Sequence, residues 1–203
     1  MGLRDLMDDS KPAQTSVPVH PLIAARWSPR ALDPKGEVDE DSLRAMLEAA
    51  RWAPSSGNTQ PARYLVGRRG DDTYERIFGL LSKRNKGWAW SAAVLMLCCM
   101  VTTNEKGRLP VPEYGTGLAS QNLVLQAVAE GVVAHQMGGF DAEAAKLVFS
   151  LPGDVEPLTV IAVGVLGPAD LLDDERRAKE LAPRRRKPLS EIAFSGEWGK
   201  PAF

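Results

Sequence analysis

The sequence is poor in cysteine and histidine, and this scarcity argues against several kinds of site. Its 203 residues include two cysteines and two histidines. Cys98 and Cys99 are neighbours in an apolar run, so in a strand their side chains point to opposite faces and do not form a disulfide bond. His20 and His135 have no partner at metal-ligand spacing, which favours core or surface roles. We therefore predict no metal site and a reducing, cytoplasmic environment.

Long apolar runs and an excess of charge are also missing. The formal net charge is −1, which gives no overall electrostatic basis for binding nucleic acid or an anionic membrane. The longest strongly apolar run, Ala92–Val101, is much shorter than the ~20 residues of a membrane-spanning helix. Residues 1–17 are polar, without the apolar centre of a signal peptide, and we expect a flexible lead-in there. The composition, 44% apolar and 25% charged, is typical of a soluble protein with a sizeable core.

The apolar pattern predicts four strands and about five helices. The strands are expected near residues 63–66, 91–101, 132–137 and 158–166, and the helices near residues 20–26, 39–50, 71–81, 117–130 and 141–150. The elements follow no simple β-α-β rhythm, which favours an α+β fold over a doubly wound sheet. Gly117–Glu130 is apolar on more than one side and needs burial all round, which a subunit interface is one way to supply. Gly107–Tyr114, with two prolines, is predicted to be a loop.

Glu48–Val66 runs from the end of a predicted helix through a turn cluster into a predicted strand. The cluster between Pro54 and Pro61 is rich in Ser, Gly and Asn, a composition typical of an ordinary surface loop. However, Asn58 and Gln60 each offer paired donors and acceptors, which suit the edge of a planar heterocycle. Both interpretations stay open on these residues alone.

Basic residues cluster near both ends of the chain. Arg26 and Arg30 flank Ser28 after the first helix, and four basic residues follow one another at residues 184–187. Taken singly, the first pair is typical of solvated charge and the second run of a nucleic-acid-binding or import segment. Together they offer the several guanidinium groups and the hydroxyl that a phosphate monoester requires.

These segments, taken in order, resemble the nitroreductase family. The resemblance covers roughly residues 18–195 and includes RWSPR, the turn cluster, the Met137–Gly139 triplet and the closing RxRKPLSEI motif. It implies an α+β three-layer sandwich, with a central, mainly antiparallel sheet, helices on both sides and an intertwined homodimer. It also implies a flavin-binding domain at residues 18–187 and a C-terminal arm at residues 188–203 that is exchanged with the partner subunit.

The resemblance further implies an FMN site. The phosphate and the ribityl chain would bind the first arginine segment and the closing arginines. The flavin ring would meet the loop amides, the glycine turn and Arg30, which would face the pyrimidine edge. Residues 54–56 would come from the partner subunit, and no catalytic side chain is implied because the flavin carries the chemistry. The implied cofactor-binding residues are Arg26, Trp27, Ser28, Arg30, Pro54, Ser55, Ser56, Asn58, Gln60, Asn85, Met137, Gly138, Gly139, Arg184 and Arg186.

The implied function is that of an FMN-dependent oxidoreductase. It would pass hydride from NADH or NADPH through flavin N5 to a nitroaromatic, quinone or similar small-molecule acceptor in a ping-pong cycle. Reductive dehalogenation, flavin cleavage and non-enzymatic flavin sequestration remain alternatives. Ala62 and Leu32 replace aromatic residues that the family often has, which bears on the shape of the substrate pocket.

Overall fold

A computed structural model describes residues 11–203, and residues 1–10 of the predicted lead-in lie outside this part. The described chain contains α-helices, β-strands and short 3₁₀ turns. In chain order the helices and strands are α1 Pro21–Ala25, α2 Glu40–Arg51, β1 Ala62–Arg68, α3 Asp72–Leu80, α4 Lys83–Ala89, β2 Val94–Val101, β3 Thr103–Asn104, β4 Gly107–Arg108, α5 Pro112–Ala129, β5 Val133–Met137, α6 Ala142–Val148, β6 Val155–Gly164 and α7 Asp174–Leu181. Within residues 11–203, no helix combines the length and apolarity needed to cross a membrane.

Four strands form the main sheet, in the order β1-β2-β6-β5, and all neighbouring strands are antiparallel. The central strand β2 pairs Met96 with Val66 on one side and with Ile161 on the other. This arrangement confirms the predicted α+β fold with an antiparallel sheet. A register shift between Cys98 and Cys99 marks an irregularity against β6.

Successive residues of β2 pack into two separate cores on opposite faces of the sheet. Met96 and Cys98 belong to a core that includes residues of α2 and α5, whereas Leu97 and Cys99 belong to one that includes residues of α3 and α4. This alternation follows from the two-residue period of a strand. Both thiols are free and buried. Burial raises the pKa of each, to about 12 for Cys99.

Aspartates cap four of the helices. The carboxylate of Asp39 accepts a hydrogen bond from the N–H of Ser42 at 2.8 Å and so begins α2. The other three aspartate caps are Asp71 before α3, Asp141 before α6 and Asp173 before α7. Such caps satisfy N–H groups that have no partner within the helix.

The predicted loop at Gly107–Tyr114 is wrong at both ends. Gly107 begins β4, which pairs with β3 in a small ribbon, and α5 begins at Pro112. Proline suits the first position of a helix because its missing N–H has no intrahelical partner there. The sequence pattern also missed α4 and α7, which are short and strongly charged.

Candidate functional site

The segment that follows α1 is held from two sides. Nδ1 of His135, on β5, lies 2.9 Å from the carbonyl oxygen of Pro29. From the other side, Oε1 of Glu180, on α7, accepts hydrogen bonds from the N–H groups of Arg30 at 2.7 Å and Ala31 at 3.0 Å. These contacts fix the backbone from which the predicted phosphate and ring ligands project.

His135 is electrically neutral in the folded chain. The pKa of its imidazole is lowered to about 4, mainly by burial and also by the positive charges of Arg30 and Arg26, although its backbone hydrogen bond to Pro29 acts in the opposite direction. Because the Pro29 carbonyl oxygen can only accept, Nδ1 carries the proton in this tautomer. The imidazole also packs against Trp88, with 4.6 Å between the ring centroids.

Three arginines converge from the two ends of the chain. The pKa of Arg26 is lowered by burial and then by the charges of Arg184 and Arg186. Burial and Arg186 similarly lower the pKa of Arg184. Within residues 11–203, none of the three forms an ion pair with a carboxylate. This arginine cluster (Arg26, Arg184 and Arg186) is therefore an excess of positive charge, in which Arg26 and Arg184 are partly buried and Arg186 is exposed.

The hydrogen bonds of the arginine cluster tie it to its surroundings. Nη1 of Arg184 donates to the carbonyl oxygens of Lys11 at 2.9 Å and Ala24 at 2.6 Å. Nη1 of Arg26 lies 3.2 Å from the hydroxyl of Ser28. Trp27, between them in sequence, carries the ammonium of Lys11 over its ring, 4.5 Å from the centroid.

A glycine turn follows β5. The side-chain amide of Asn85 and the N–H of Ser82 each donate to the carbonyl oxygen of Gly139 at 3.0 Å. A Cβ atom added at Gly139 would lie 2.9 Å from Nδ2 of Asn85, whereas one added at Gly138 would meet nothing within 4 Å. The turn is thus closed on the side of α4 and open at Gly138, and Met137 before it is buried.

The loop at residues 54–61 is exposed, and its backbone is strained. Asn58 and Gln60 have φ values of 55° and 47°, a left-handed region that is uncommon for residues other than glycine. The hydroxyl of Ser55 accepts a hydrogen bond from the N–H of Gln60 at 2.9 Å, so the loop is closed on itself. An apolar cavity of about 280 Å³ lies between this loop, α2 and α5.

The structure brings some of the predicted site residues together and leaves others apart. The glycine turn directly follows β5, and the segment that carries Arg26 and Arg30 is held at the same edge of the sheet by His135. Arg184 and Arg186 join this segment through their proximity to Arg26. The loop at residues 54–61 leads into β1, at the opposite edge. Three strand spacings, roughly 14 Å, separate the two edges within one protomer.

Comparisons with known proteins agree with this fold. The sequence model of the nitroreductase family matches residues 23–86 and 68–165. This chain belongs to the nitroreductase family. A crystal structure described as an oxidoreductase containing FMN is 30% identical, with a TM-score of 0.87 over 95% of this chain and 98% of that one. A second structure, a protein of Desulfovibrio desulfuricans assigned as a nitroreductase and solved in complex with FMN, is 28% identical with a TM-score of 0.69, over 91% of this chain and 99% of that one.

Two relatives known from sequence cover less of this nitroreductase-family chain. A 15.4 kDa protein of Mycolicibacterium smegmatis is 35% identical over 147 residues, which are 68% of this chain and 99% of that protein. A Streptomyces coelicolor protein named as an NADH dehydrogenase or NAD(P)H nitroreductase is 30% identical over 148 residues, 63% of this chain and 73% of that protein.

Sequence reasoning missed Glu180 and assigned His135 only a packing role. The Glu180 side chain is 4% exposed, and its Oε2 has no hydrogen-bond partner among the described residues. A glutamate within a highly charged stretch gives no signal of burial, because hydropathy places such residues in water.

Proposed function

We propose that this nitroreductase-family protein is an FMN-dependent oxidoreductase that acts as a homodimer, with NADH or NADPH as electron donor. When bound, FMN would supply hydride chemistry at N5, in a ping-pong sequence that ends on a nitroaromatic, quinone or similar acceptor. The observation that carries the proposal is the arginine cluster, three guanidinium groups without a carboxylate partner among the described residues.

The arginine cluster fits a phosphate monoester. A phosphate carries close to two negative charges and accepts several charge-assisted hydrogen bonds, which guanidinium groups donate in a fixed planar geometry. The pKa of Arg26 and that of Arg184 are lowered first by burial and then by the neighbouring positive charges, and a bound phosphate would offset this repulsion. The hydroxyl of Ser28, 3.2 Å from Nη1 of Arg26, adds a further donor at the same place.

The β5 edge fits the ring of the cofactor. Arg30 would place a fixed positive charge at the pyrimidine edge, where it favours the electron-rich, reduced form. Asn85 donates its Nδ2 hydrogen to Gly139 and keeps its Oδ1 as an acceptor. The open space beside Gly138 allows backbone to approach a ring closely.

The loop at residues 54–61 would complete the site from the partner subunit. Because Ser55 and Gln60 are bonded to each other, the loop acts as one unit. Asn58 and Gln60 would therefore come from the same subunit as residues 54–56. A three-layer, intertwined dimer would also bury the C-terminal arm at residues 188–203, in which Trp198 is 93% exposed and Phe203 is 87% exposed.

The proposal is tested on the purified protein. We expect a yellow sample that releases FMN on heating, has the mass of a dimer by light scattering and oxidises NADH or NADPH when a nitroarene or quinone is supplied. A protein that binds FMN but shows no turnover with any acceptor would be a flavin-sequestering protein. A colourless protein that does not take up added FMN would contradict the proposal.

A further inference from the structure

A second basic site lies beside Arg30, on the side of α7. A polar cavity of about 280 Å³ opens between α4 and α7. It is lined by four cationic side chains and one carboxylate, namely Arg30, Arg84, Arg176, Lys179 and Glu175. This basic cavity is distinct from the arginine cluster, with which it shares no residue.

Two of the four cations in the basic cavity are not neutralised by the protein. Arg176 pairs with Asp173, and Lys179 pairs with Glu175, within α7. Within residues 11–203, the guanidinium groups of Arg30 and Arg84 have neither a hydrogen-bond partner nor an ion pair. Like charges that face one concave space without counter-charges attract an anion.

The walls of the basic cavity are tied to each other. Nη2 of Arg176 donates to the carbonyl oxygen of Arg84 at 3.1 Å, which joins α7 to α4. A Cβ atom added at Gly87 would lie 2.5 Å from the same nitrogen, so a glycine is needed on α4 for this contact. Glu180 joins α7 to the backbone of Arg30. The cationic groups are therefore mounted on a framework that needs little ordering on binding.

We propose that the basic cavity binds an oxyanion, a phosphate or a carboxylate, carried by a substrate. This inference rests on the proposed function, because it places the anion next to the ring of the bound flavin. Arg30 lines the cavity and is assigned to the pyrimidine edge, and Arg84 adjoins Asn85, which is bonded to the glycine turn. The cofactor's own phosphate is already accounted for by the arginine cluster.

Two substrates of the proposed reaction can carry such an oxyanion. NADPH differs from NADH by a phosphate on the adenosine ribose, and an aromatic acceptor can carry a carboxylate. The same cavity chemistry suits both groups, since guanidinium and ammonium groups bind each of them. The test therefore compares, for each source, a ligand that carries the additional 2′-phosphate or carboxylate with an otherwise matched ligand that lacks this one group.

The test uses Arg84→Gln and the double variant with Lys179→Gln. Arg84 is exposed and its guanidinium has no partner among the described residues, so its removal should not affect folding. Arg44→Gln on α2, an exposed arginine paired with Glu40, is the matched charge control. Calorimetric titration compares 2′,5′-ADP with 5′-AMP and 4-nitrobenzoate with nitrobenzene, and steady-state kinetics compare NADPH with NADH and the same two nitroarenes.

We expect Arg84→Gln to lower the affinity for the member of one pair that carries the extra phosphate or carboxylate by about fivefold to tenfold, and to raise its KM similarly, with kcat unchanged. The values for the member without that group, and for both members with Arg44→Gln, should change by less than about twofold. A loss confined to the adenosine phosphate identifies the electron donor as the source, and a loss confined to 4-nitrobenzoate identifies the acceptor. Equal changes for both members of each pair, or no change, would overturn the inference.

Failure of the inference is separable from failure of the proposed function. The titrations are made on the protein as purified and need no turnover, so their result bears on the basic cavity directly. Absence of FMN uptake and of nucleotide oxidation in the unmodified protein counts against the proposed function instead.

Discussion

At the β5 edge of the sheet the proposed flavin contacts are fixed by buried hydrogen bonds, whereas at the β1 edge they lie on an exposed, strained loop. The β5 edge holds its segment through His135 and Glu180, both largely removed from water. The β1 edge holds its loop through exposed hydrogen bonds between near neighbours in sequence. The hydroxyl of Ser55 accepts from the N–H of Gln60, the side-chain amide of Gln60 donates to the carbonyl oxygen of Asn58, and Arg63 donates to the carbonyl oxygen of Gln60. At the β5 edge, the segment is bonded to residues more than 100 positions away in the same chain. At the β1 edge, the exposed loop is closed by a hydrogen bond within itself. This difference supports the proposal that the flavin site is divided between two copies of the chain.

The largest effect is expected when the arginine cluster is removed. Arg26→Ala and Arg186→Ala should each raise the Kd for FMN by about 10-fold to 100-fold, because each loses charge-assisted hydrogen bonds to the phosphate. Fluorescence titration of the apoprotein with FMN measures this. Arg185→Ala, in the same basic run, is the control and should change the Kd by less than about threefold. An equal effect at Arg185 would show that only general charge matters.

Mixing two variants tests whether the β5 edge of one protomer and the β1 edge of its partner form one flavin site. Arg26→Glu replaces a phosphate-binding positive charge at the β5 edge by a negative one. Ser56→Trp adds a bulky side chain to the exposed loop at the β1 edge, and each variant alone should be inactive. In a shared site, unfolding and refolding the two together should restore about a quarter of the sites, since half of the dimers are mixed and each has one intact site. Flavin content and turnover of the mixture report the outcome. No recovery, with mixed dimers demonstrated by mass, would place both edges in one protomer's site.

Acid should destabilise the β5 edge through His135. Its pKa is about 4 in the folded chain against 6.5 for the free side chain. Between these values the unfolded chain takes up a proton that the folded chain does not, so stability is full above pH 6.5 and is lost as the pH falls towards 4. The loss at this residue should reach up to about 3 kcal/mol. Urea unfolding at several pH values measures it, and His135→Gln should remove this part of the pH dependence. An unchanged dependence in the variant would assign it to other groups.

The smallest effects are expected from alanine substitutions in the glycine turn, where Gly138 and Gly139 should respond differently. Gly139→Ala should cost about 1–2 kcal/mol of stability, because its Cβ would lie 2.9 Å from Nδ2 of Asn85 and 3.0 Å from Oγ of Ser82. Gly138→Ala points into open space and should change stability by less than about 0.5 kcal/mol. However, it should weaken FMN binding if the ring lies there. Thermal unfolding and FMN titration of both variants provide the comparison, and normal FMN binding by Gly138→Ala would exclude this close approach.

Much of the fold follows from short-range patterns. The uninterrupted apolar run of β2 indicates burial on both faces, and aspartates mark the starts of α2, α3 and α6. The errors arise where short-range signals conflict. The two prolines predict a loop at Pro112, although this residue begins α5. The charged sequence of α7 gives no signal of burial, because its buried residue is the glutamate Glu180.

The candidate site was predictable in composition but not in arrangement. RWSPR and the closing arginines can be found by eye, and the structure brings Arg26 and Arg186 together. The hydrogen bonds that Glu180 accepts from backbone N–H groups 149 and 150 residues earlier cannot be found in this way. Such contacts depend on how distant segments pack, and no local pattern specifies them.

The adjacent cysteines of β2 offer a natural probe of how the molecule opens. Cys98 reports on the side of α2 and α5, and Cys99 reports on the side of α3 and α4. While their pKa values are raised by burial, neither supplies much thiolate to an alkylating reagent. The order in which the two sulfur atoms become labelled under mild denaturation would thus reveal which layer of helices detaches first.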